Sequence, residues 1–260
     1  MKPSYQVDFG STADDYARHR AGFPDRFFDE LAGRNVGVPG QTVLDLGTGT
    51  GTLARGFARR GATVTGVDIA PDMLVQAREI ADSEGLKNIT FQIGSAEDTG
   101  IPAKHFDIVT AGQCWHWFDG PKAFGEVLRI LKPGGQLVIC HFDWLPLAGN
   151  VVAATERLIL DHAPDWPYGG GTGIYPAWPT GMAEAGFEGI ETFSFTHIEN
   201  YNKESWRGRI RASAPIGGSM DAAGVAAFDA DHAALLDLEF PDDPLPVPHR
   251  CWAAIGQKPG

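Results

Sequence analysis

The stretch 43–51, VLDLGTGTG, constrains this chain more than any other: a leucine- and valine-rich run stops at a loop with glycine at 47, 49 and 51. A helical repeat follows at once, with Leu53, Ala54, Phe57 and Ala58 on one face, Arg59 and Arg60 in the last turn and Gly61 as the stop. A strand that turns into a helix through glycines predicts an α/β plan. Missing Cβ atoms there let the backbone approach a ligand at the carboxyl end of a parallel sheet, although a tight strand-to-helix turn needs the same residues. Two details narrow the ligand. The spacing is GxGxG rather than GxGxxG, and Asp45 lies inside the motif, where a carboxylate suits a ligand ammonium and opposes a pyrophosphate. Both count against a nicotinamide dinucleotide.

The alternation of strands and helices continues to about residue 142. TVTGVD reads as the second strand, and Pro71 suits the first turn of a helix carrying Met73, Leu74, Ala77 and Ile80 and ending at Gly85. ITFQIG and FDIVTAG are the third and fourth strands. Ala123, Phe124, Val127, Leu128 and Leu131 form an amphipathic helix, closed by the turn KPGG before a fifth strand, QLVICHF. After Trp144 the rhythm changes. Up to about residue 179, Gly, Pro and aromatics dominate, among them Trp166, Tyr168, Tyr175 and Trp178, which predicts a lid or pocket insertion. A short helix ending at Gly186, the strand-like IETFSFTHI, a helical region over 203–238 and a final edge strand, RCWAAIGQK, complete the chain.

At 260 residues with 43% apolar content, one α/β domain with elaborations is expected. The formal net charge of −12 opposes binding to nucleic acid or an anionic membrane and favours a small-molecule partner. Cys114, Cys140 and Cys251 are odd in number and form no CxxC pair, so neither a disulfide framework nor a metal site is expected. MKPSYQVDFGSTADDY lacks an apolar leader core, and no stretch reaches membrane-span length, so the expectation is a cytoplasmic protein. Its oligomeric state is not written in the sequence.

Taken in order, VLDLGTGTG, VDIAPDML, GSAED, FDIVTAGQCWHWFD and LKPGGQLVI resemble the class I S-adenosylmethionine-dependent methyltransferases over residues 42–142. The resemblance implies an α/β, doubly wound, Rossmann-like fold. Its seven-stranded, mostly parallel sheet would have a C-terminal antiparallel strand, supplied by 247–258, and a lid insertion. It also implies S-adenosyl-L-methionine as cofactor. A narrower similarity, in DDYARHRAGFP, QCWHWFD and SWRGRIRAS, is to the small-molecule branch (methyltransferase type 11) that includes trans-aconitate methyltransferase-like proteins. On this reading residues 1–41 are an N-terminal helical cap. Residues 42–260 are the methyltransferase domain, with a lid insertion over about 144–180 and a helical insertion over about 200–246. Residues 16–24 would form a helix and cap over the cofactor, with Tyr16 and Arg20 towards its carboxylate, or simply a solvated helix face.

The cofactor loop is then Gly47, Thr48 and Gly49, with the helix N-terminus facing a carboxylate. Asp45 either handles positive charge, directly or through water, or orders the loop by hydrogen bonds to backbone. Asp68 ends the second strand, where an acid accepts ribose hydroxyls or caps the next helix. Ile69 and Met73 either flank the adenine or belong to the core. Ser95, Ala96 and Glu97 offer contacts to the adenine edge or are an ordinary polar loop; Gly112 and Gln113, closing the fourth strand, complete the set. An acid often precedes the Ala-Glu pair in such families, and this chain has Ser95 there.

Transfer of a methyl group from a sulfonium is an in-line displacement, so the protein mainly holds the nucleophile at near-attack distance in a dry site. His116, read as the one obvious titratable group at the fourth strand's end, is the candidate general base or else a structural histidine. Asp119 either orients it or caps the helix near Pro121. Trp115, Trp117, Trp144, Tyr175 and Trp178 line a small acceptor, or pack the lid. Arg207, Arg209 and Arg211 offer anion recognition but cannot share one helix face. The attacked nucleophile is O, N or C. Alternatives are a cyclase or lyase that keeps the same cofactor fold, and a non-catalytic binding module.

Overall fold

The computed structural model describes residues 22–260. Helix α1 (Asp25–Ala32) starts directly after Pro24, whose extended backbone (φ −68°, ψ 156°) cannot join a preceding helix. Of the helix expected over 16–24, residues 22–24 are described, and they are not helical. Tyr16 and Arg20 lie outside the described residues.

Seven strands form one sheet: β1 (Thr42–Leu46), β2 (Thr63–Asp68), β3 (Ile89–Ile93), β4 (Phe106–Gly112), β5 (Leu131–Trp144), β6 (Glu188–Tyr201) and β7 (Leu245–Gln257). Their order is β3-β2-β1-β4-β5-β7-β6, and β3-β2-β1-β4-β5 pair in parallel. Helices α2 (Thr52–Arg59), α3 (Pro71–Ser83) and α4 (Gly120–Ile130) make the crossovers, and β1 and β4, covered on both faces, read as near-continuous apolar runs. This is the expected doubly wound α/β sheet.

Two expectations need correcting around β5. KPGG does not precede the strand: two steps along β4, from Phe106 to Ile108, are matched by five along β5, from Leu131 to Gln136. The extra residues bulge inside the strand, with Gly134 at φ +73° and Gly135 so close to β4 that a Cβ would lie 2.9 Å from the Asp107 carbonyl. Leu131, expected in the helix, therefore opens β5. The last strand is also not an edge. Leu145 N donates to Pro248 O and Lys258 N to Gly135 O, both at 2.8 Å, so β7 runs antiparallel to β5 and lies between it and β6. Its run CWAAI is wholly buried, as an apolar strand covered on both faces must be; β3 and β6 are the edges.

The chain divides into two compact units. The first comprises residues 22–142, 175–195 and 251–260, α1 among them. Leu44, Leu46, Val109, Leu137 and Ile139 lie in its main core, and α6 (Ala177–Glu184) belongs to it. The second, among the described residues, is 143–174 and 196–250. It contains a helix that the aromatic composition concealed, α5 (Val151–His162), capped by the Asn150 side chain accepting from Ala153 N. With it go α7 (Lys203–Arg211) and α8 (Ala222–Glu239), around a core of Val152, Ile159, Trp206, Ile210 and Phe228. Among the described residues no helix is long and apolar enough to cross a membrane.

Candidate active site

β1 delivers the glycine loop to the carboxyl edge of the sheet. Gly47, Gly49 and Gly51 all have positive φ (60°, 55° and 76°), the region that residues with a Cβ avoid. Their surroundings differ. A Cβ on Gly47 would meet Cys114 at 2.9 Å, and one on Gly51 would meet Phe91 at 3.0 Å, whereas one on Gly49 would meet nothing within 4 Å. Gly47 and Gly51 are thus packed, and Gly49 alone faces open space.

Two carboxylates hold that loop. Asp45 is 1% exposed. It accepts from the Thr48 and Thr110 hydroxyls, each at 2.7 Å. Burial raises its pKa to about 6 against those hydrogen bonds, with the negative charge of Asp68 adding to the rise. Sealed from solvent and holding one hydroxyl on each oxygen, Asp45 orders the loop through Thr48 and Thr110. Asp68 is less enclosed: Oδ2 accepts from Gly49 N at 2.8 Å and Oδ1 from Ala70 N at 2.9 Å. The second bond is local turn chemistry at the start of α3; the first clamps the glycine loop. Each oxygen keeps one lone pair for another donor.

Around Asp68 the structure separates residues that the sequence had left together. Ile69 is 73% exposed, whereas Met73 is 4% exposed, among the buried residues of α3. Ala96 is buried, the Ser95 hydroxyl accepts from Asp98 N at 3.1 Å, and Glu97 accepts from Asp119 N at 2.8 Å. Glu97 therefore ties the loop after β3 to the start of α4. An acid with spare acceptor capacity, an exposed apolar side chain and an open glycine together suit a ligand carrying vicinal hydroxyls and a flat apolar ring.

β4 ends at Gly112, where a Cβ would lie 2.9 Å from Leu53. Gln113 then takes φ +61°, held there by Gln113 N donating to Cys140 O at 2.9 Å and Nε2 to Phe142 O at 2.5 Å. Non-glycine residues in this region cost about 1–2 kcal/mol, and such strain recurs at ligand sites. The short helical turn Trp115–Trp117 follows. Trp115 is 4% exposed and packs on Phe118 and Phe124, with ring centroids at 5.6 and 4.6 Å, so it is a core residue. Trp117 and His116 are half-buried, their rings 4.7 Å apart.

His116 is not the only imidazole at this edge. His141, visible in QLVICHF but not singled out, lies in the buried part of β5, and its ring centroid is 5.7 Å from that of His116. It is 3% exposed and lies against Tyr175 (4.3 Å) and Trp178 (4.8 Å). Those two rings stack on each other at 4.0 Å, and Trp252 of β7 meets both edge-on at 5.6 Å. Tyr175, Trp178, His116 and Trp117 thus belong to one imidazole–aromatic cluster of the first unit. The rule that selected residues at the end of β4 would have found His141 if applied to β5.

Trp144 belongs to the second unit. Its Nε1 donates to Glu156 at 2.8 Å, and Arg209 lies over its ring at 4.8 Å. Trp206 is fully buried, and its Nε1 donates to the Thr155 hydroxyl at 3.1 Å. Arg207 and Arg211 both bind Asp229 and Glu204, so neither offers the anion recognition expected of them.

A family model described as a methyltransferase domain matches residues 38–167, half of the 260-residue chain. The chain belongs to the methyltransferase-domain family. This methyltransferase-domain protein is 36% identical over 161 residues to an uncharacterized methyltransferase of Mycobacterium tuberculosis, a match covering 60% of the chain and 63% of that relative. The chain therefore spans less than two thirds of the length of such relatives. Among solved structures, a putative type II methyltransferase from Anaeromyxobacter dehalogenans has TM-score 0.66 at 22% identity, covering 92% of this chain and 97% of that one. Phosphoethanolamine N-methyltransferase 2 of Haemonchus contortus, solved with phosphomonomethylethanolamine and S-adenosylhomocysteine, has TM-score 0.59 at 21% identity, covering 98% of this chain and 61% of that one. At these identities the two structures speak for the fold.

Proposed function

We propose that the protein transfers a methyl group from S-adenosyl-L-methionine to a small-molecule acceptor. The observation that carries the reading is the cradle of Gly49, Asp68 and Ile69: an open glycine, an acid with spare lone pairs and an exposed apolar side chain at the carboxyl edge of β1 and β2. These residues fit a nucleoside. Asp68 would accept its ribose hydroxyls while keeping the Gly49 N–H, and Ile69 would cover the adenine. Met73 would support that face from beneath. Gly112 and Gln113 would border the amino-acid end, with Tyr16 and Arg20 kept as the proposed partners of its carboxylate. Family membership supports the same reading.

The bound cofactor supplies an electrophilic methyl group on a positively charged sulfur. The chain's part is to hold the acceptor in line, exclude water and take the proton released when an O–H, N–H or activated C–H nucleophile is methylated. His116 is the proposed proton acceptor. Trp117, Tyr175 and Trp178 would give an apolar acceptor its walls, and the buried Trp115 supports them through packing. The net charge of −12 agrees with a small-molecule acceptor and a cytoplasmic setting rather than a polyanion.

The test has two stages. Calorimetry with S-adenosylhomocysteine should show a single site that Asp68→Ala weakens by at least roughly tenfold, the loss of two charge-assisted hydrogen bonds. Incubation with methyl-labelled cofactor and a metabolite extract should then yield a labelled product. Absence of cofactor binding sinks the proposal, and binding with substrate conversion but no label favours the cyclase or lyase reading. His116→Ala should keep cofactor affinity and lose turnover across the pH range; parent-like turnover would remove His116 from the mechanism.

A further inference from the structure

Two imidazoles meet at the carboxyl edge of β4 and β5, both within the first unit, and their supports differ. His116 rides on the three-residue turn Trp115–Trp117 and is half-buried. So short a turn places the Cα but leaves a half-buried ring its choice of rotamers unless something packs on it. His141 projects from β5, which pairs with β4 on one side and lies beside β7 on the other, and it is 3% exposed. Gly112 pairs with Cys140, so His141 comes one step beyond that pair, where the chain of β4 turns towards His116.

A frame of rings fixes His141. Tyr175 and Trp178, within 1° of parallel, both lie against it, and Trp252 crosses both of them edge-on. Trp252 is itself 3% exposed and part of the unit's main core, so the frame is anchored there. Rings packed this closely cannot reorient without displacing their neighbours. We propose that His141 is a positioning residue for methyl transfer: its ring, locked in this frame, packs against the His116 ring and holds it in the rotamer that meets the acceptor. The role presupposes methyl transfer with His116 as proton acceptor. As the acceptor's nucleophilic atom bonds to the methyl carbon and the methyl–sulfur bond breaks, the proton leaving that atom passes to the His116 imidazole. That transfer needs the base within hydrogen-bond reach, and a ring sampling other rotamers is out of reach for part of the time. His141 acts through His116 and need touch neither acceptor nor cofactor.

The order of the His116 ring is measurable without knowing the acceptor. The full chain is labelled with histidine carrying ¹³C at Cε1, and relaxation with and without S-adenosylhomocysteine gives an order parameter for each imidazole. His116→Ala assigns the signal, and His105, at the opposite end of β4, is the control. The His116 ring should lie near the rigid limit of about 0.85 in the parent and fall below about 0.6 in His141→Ala, with His105 unmoved. His141→Phe, which returns a flat ring to the same frame, should restore the parent value. A mobile His116 ring in the parent overturns the proposal without any variant, so a misfolded His141→Ala does not shield it. A His116 ring as ordered in His141→Ala as in the parent, or one that His141→Phe fails to restore, overturns it too. Once labelled transfer has identified the acceptor, His141→Ala should lower kcat by roughly tenfold or more while KM and S-adenosylhomocysteine affinity stay within about twofold. In a His116→Ala background the same substitution should cost nothing further; additive losses would mean that His141 does not act through His116. Failure of S-adenosylhomocysteine to bind, or of any methyl group to be transferred, counts against methyl transfer and leaves the ring-order result standing.

Discussion

Asp45 shows what a sealed carboxylate does to a binding site. Its pKa, raised to about 6 chiefly by burial and further by Asp68, means that the loop resists one more negative charge and welcomes a positive one. A cationic ligand near the loop pulls that pKa down, so binding near pH 6 should release a fraction of a proton, and affinity should rise as pH rises through about 6. Calorimetry with S-adenosyl-L-methionine, whose sulfonium carries the charge, in buffers of different ionisation enthalpy measures the proton; no buffer dependence would show that Asp45 does not sense the ligand. Gly49→Ala tests the loop from the backbone side. Its φ of +55° should cost on the order of 1 kcal/mol in stability by urea denaturation, and the methyl group would enter the open space, lowering S-adenosylhomocysteine affinity far more. At this scale the sequence singled out Asp45, Asp68 and the glycines, which the structure brings together at one loop, because residue type and spacing mark such a loop. It could not tell Ile69 from Met73, nor see that Trp115 is core, because burial is decided by tertiary packing.

Elements were legible where periodicity and punctuation agreed. β1 to β4 and the helices between them follow from the pattern, but the aromatic-rich stretch after Trp144 hid α5, whose Asn150 cap and ValValAlaAla start were the available signals. The KPGG bulge was misread because a Pro-Gly-Gly run marks a turn whether it falls before a strand or within one. Between α7 and α8 the decisive pairing was invisible for another reason: Asp229 is distant in sequence from Arg207 and Arg211. Burial pulls the Asp229 carboxyl up, but the hydrogen bonds from Arg207 and Arg211 outweigh it and hold the group below the usual range. Asp229→Ala should leave both guanidinium groups without their shared partner and cost about 2 kcal/mol, read as a lower urea midpoint with cofactor affinity unchanged. A midpoint within error of the parent would mean that Glu204 and solvent suffice.

For the molecule as a whole, acid stability is a contest among buried groups. His232 and His249 are buried, and burial lowers both pKa values to about 4. Their folded pKa lies below the unfolded 6.5, so each contributes stability that is present above pH 6.5 and lost as pH falls through about 4, roughly 3 kcal/mol apiece. Asp45 works the other way. With its folded pKa above the unfolded 3.8, its contribution is present at low pH and lost as pH rises through about 6, again roughly 3 kcal/mol. The net expectation is a stability that declines from pH 7 to pH 4, blunted by Asp45. Asp45→Asn should therefore be more stable than the parent at pH 7 and fall more steeply towards pH 4. Urea midpoints from pH 4 to pH 8 measure both slopes; a variant curve parallel to the parent's would exclude Asp45 as the compensating group.

The interior position of β7 carries a consequence for biosynthesis. β5 and β6 leave the ribosome first, and each must wait with an unpaired edge until the strand that separates them has been made. The parallel half of the sheet, β3-β2-β1-β4-β5, already has its own partners by then. A nascent chain stalled before residue 245 would thus present a folded half-sheet with β5 exposed along one side, the species on which a chaperone or a second nascent chain would act.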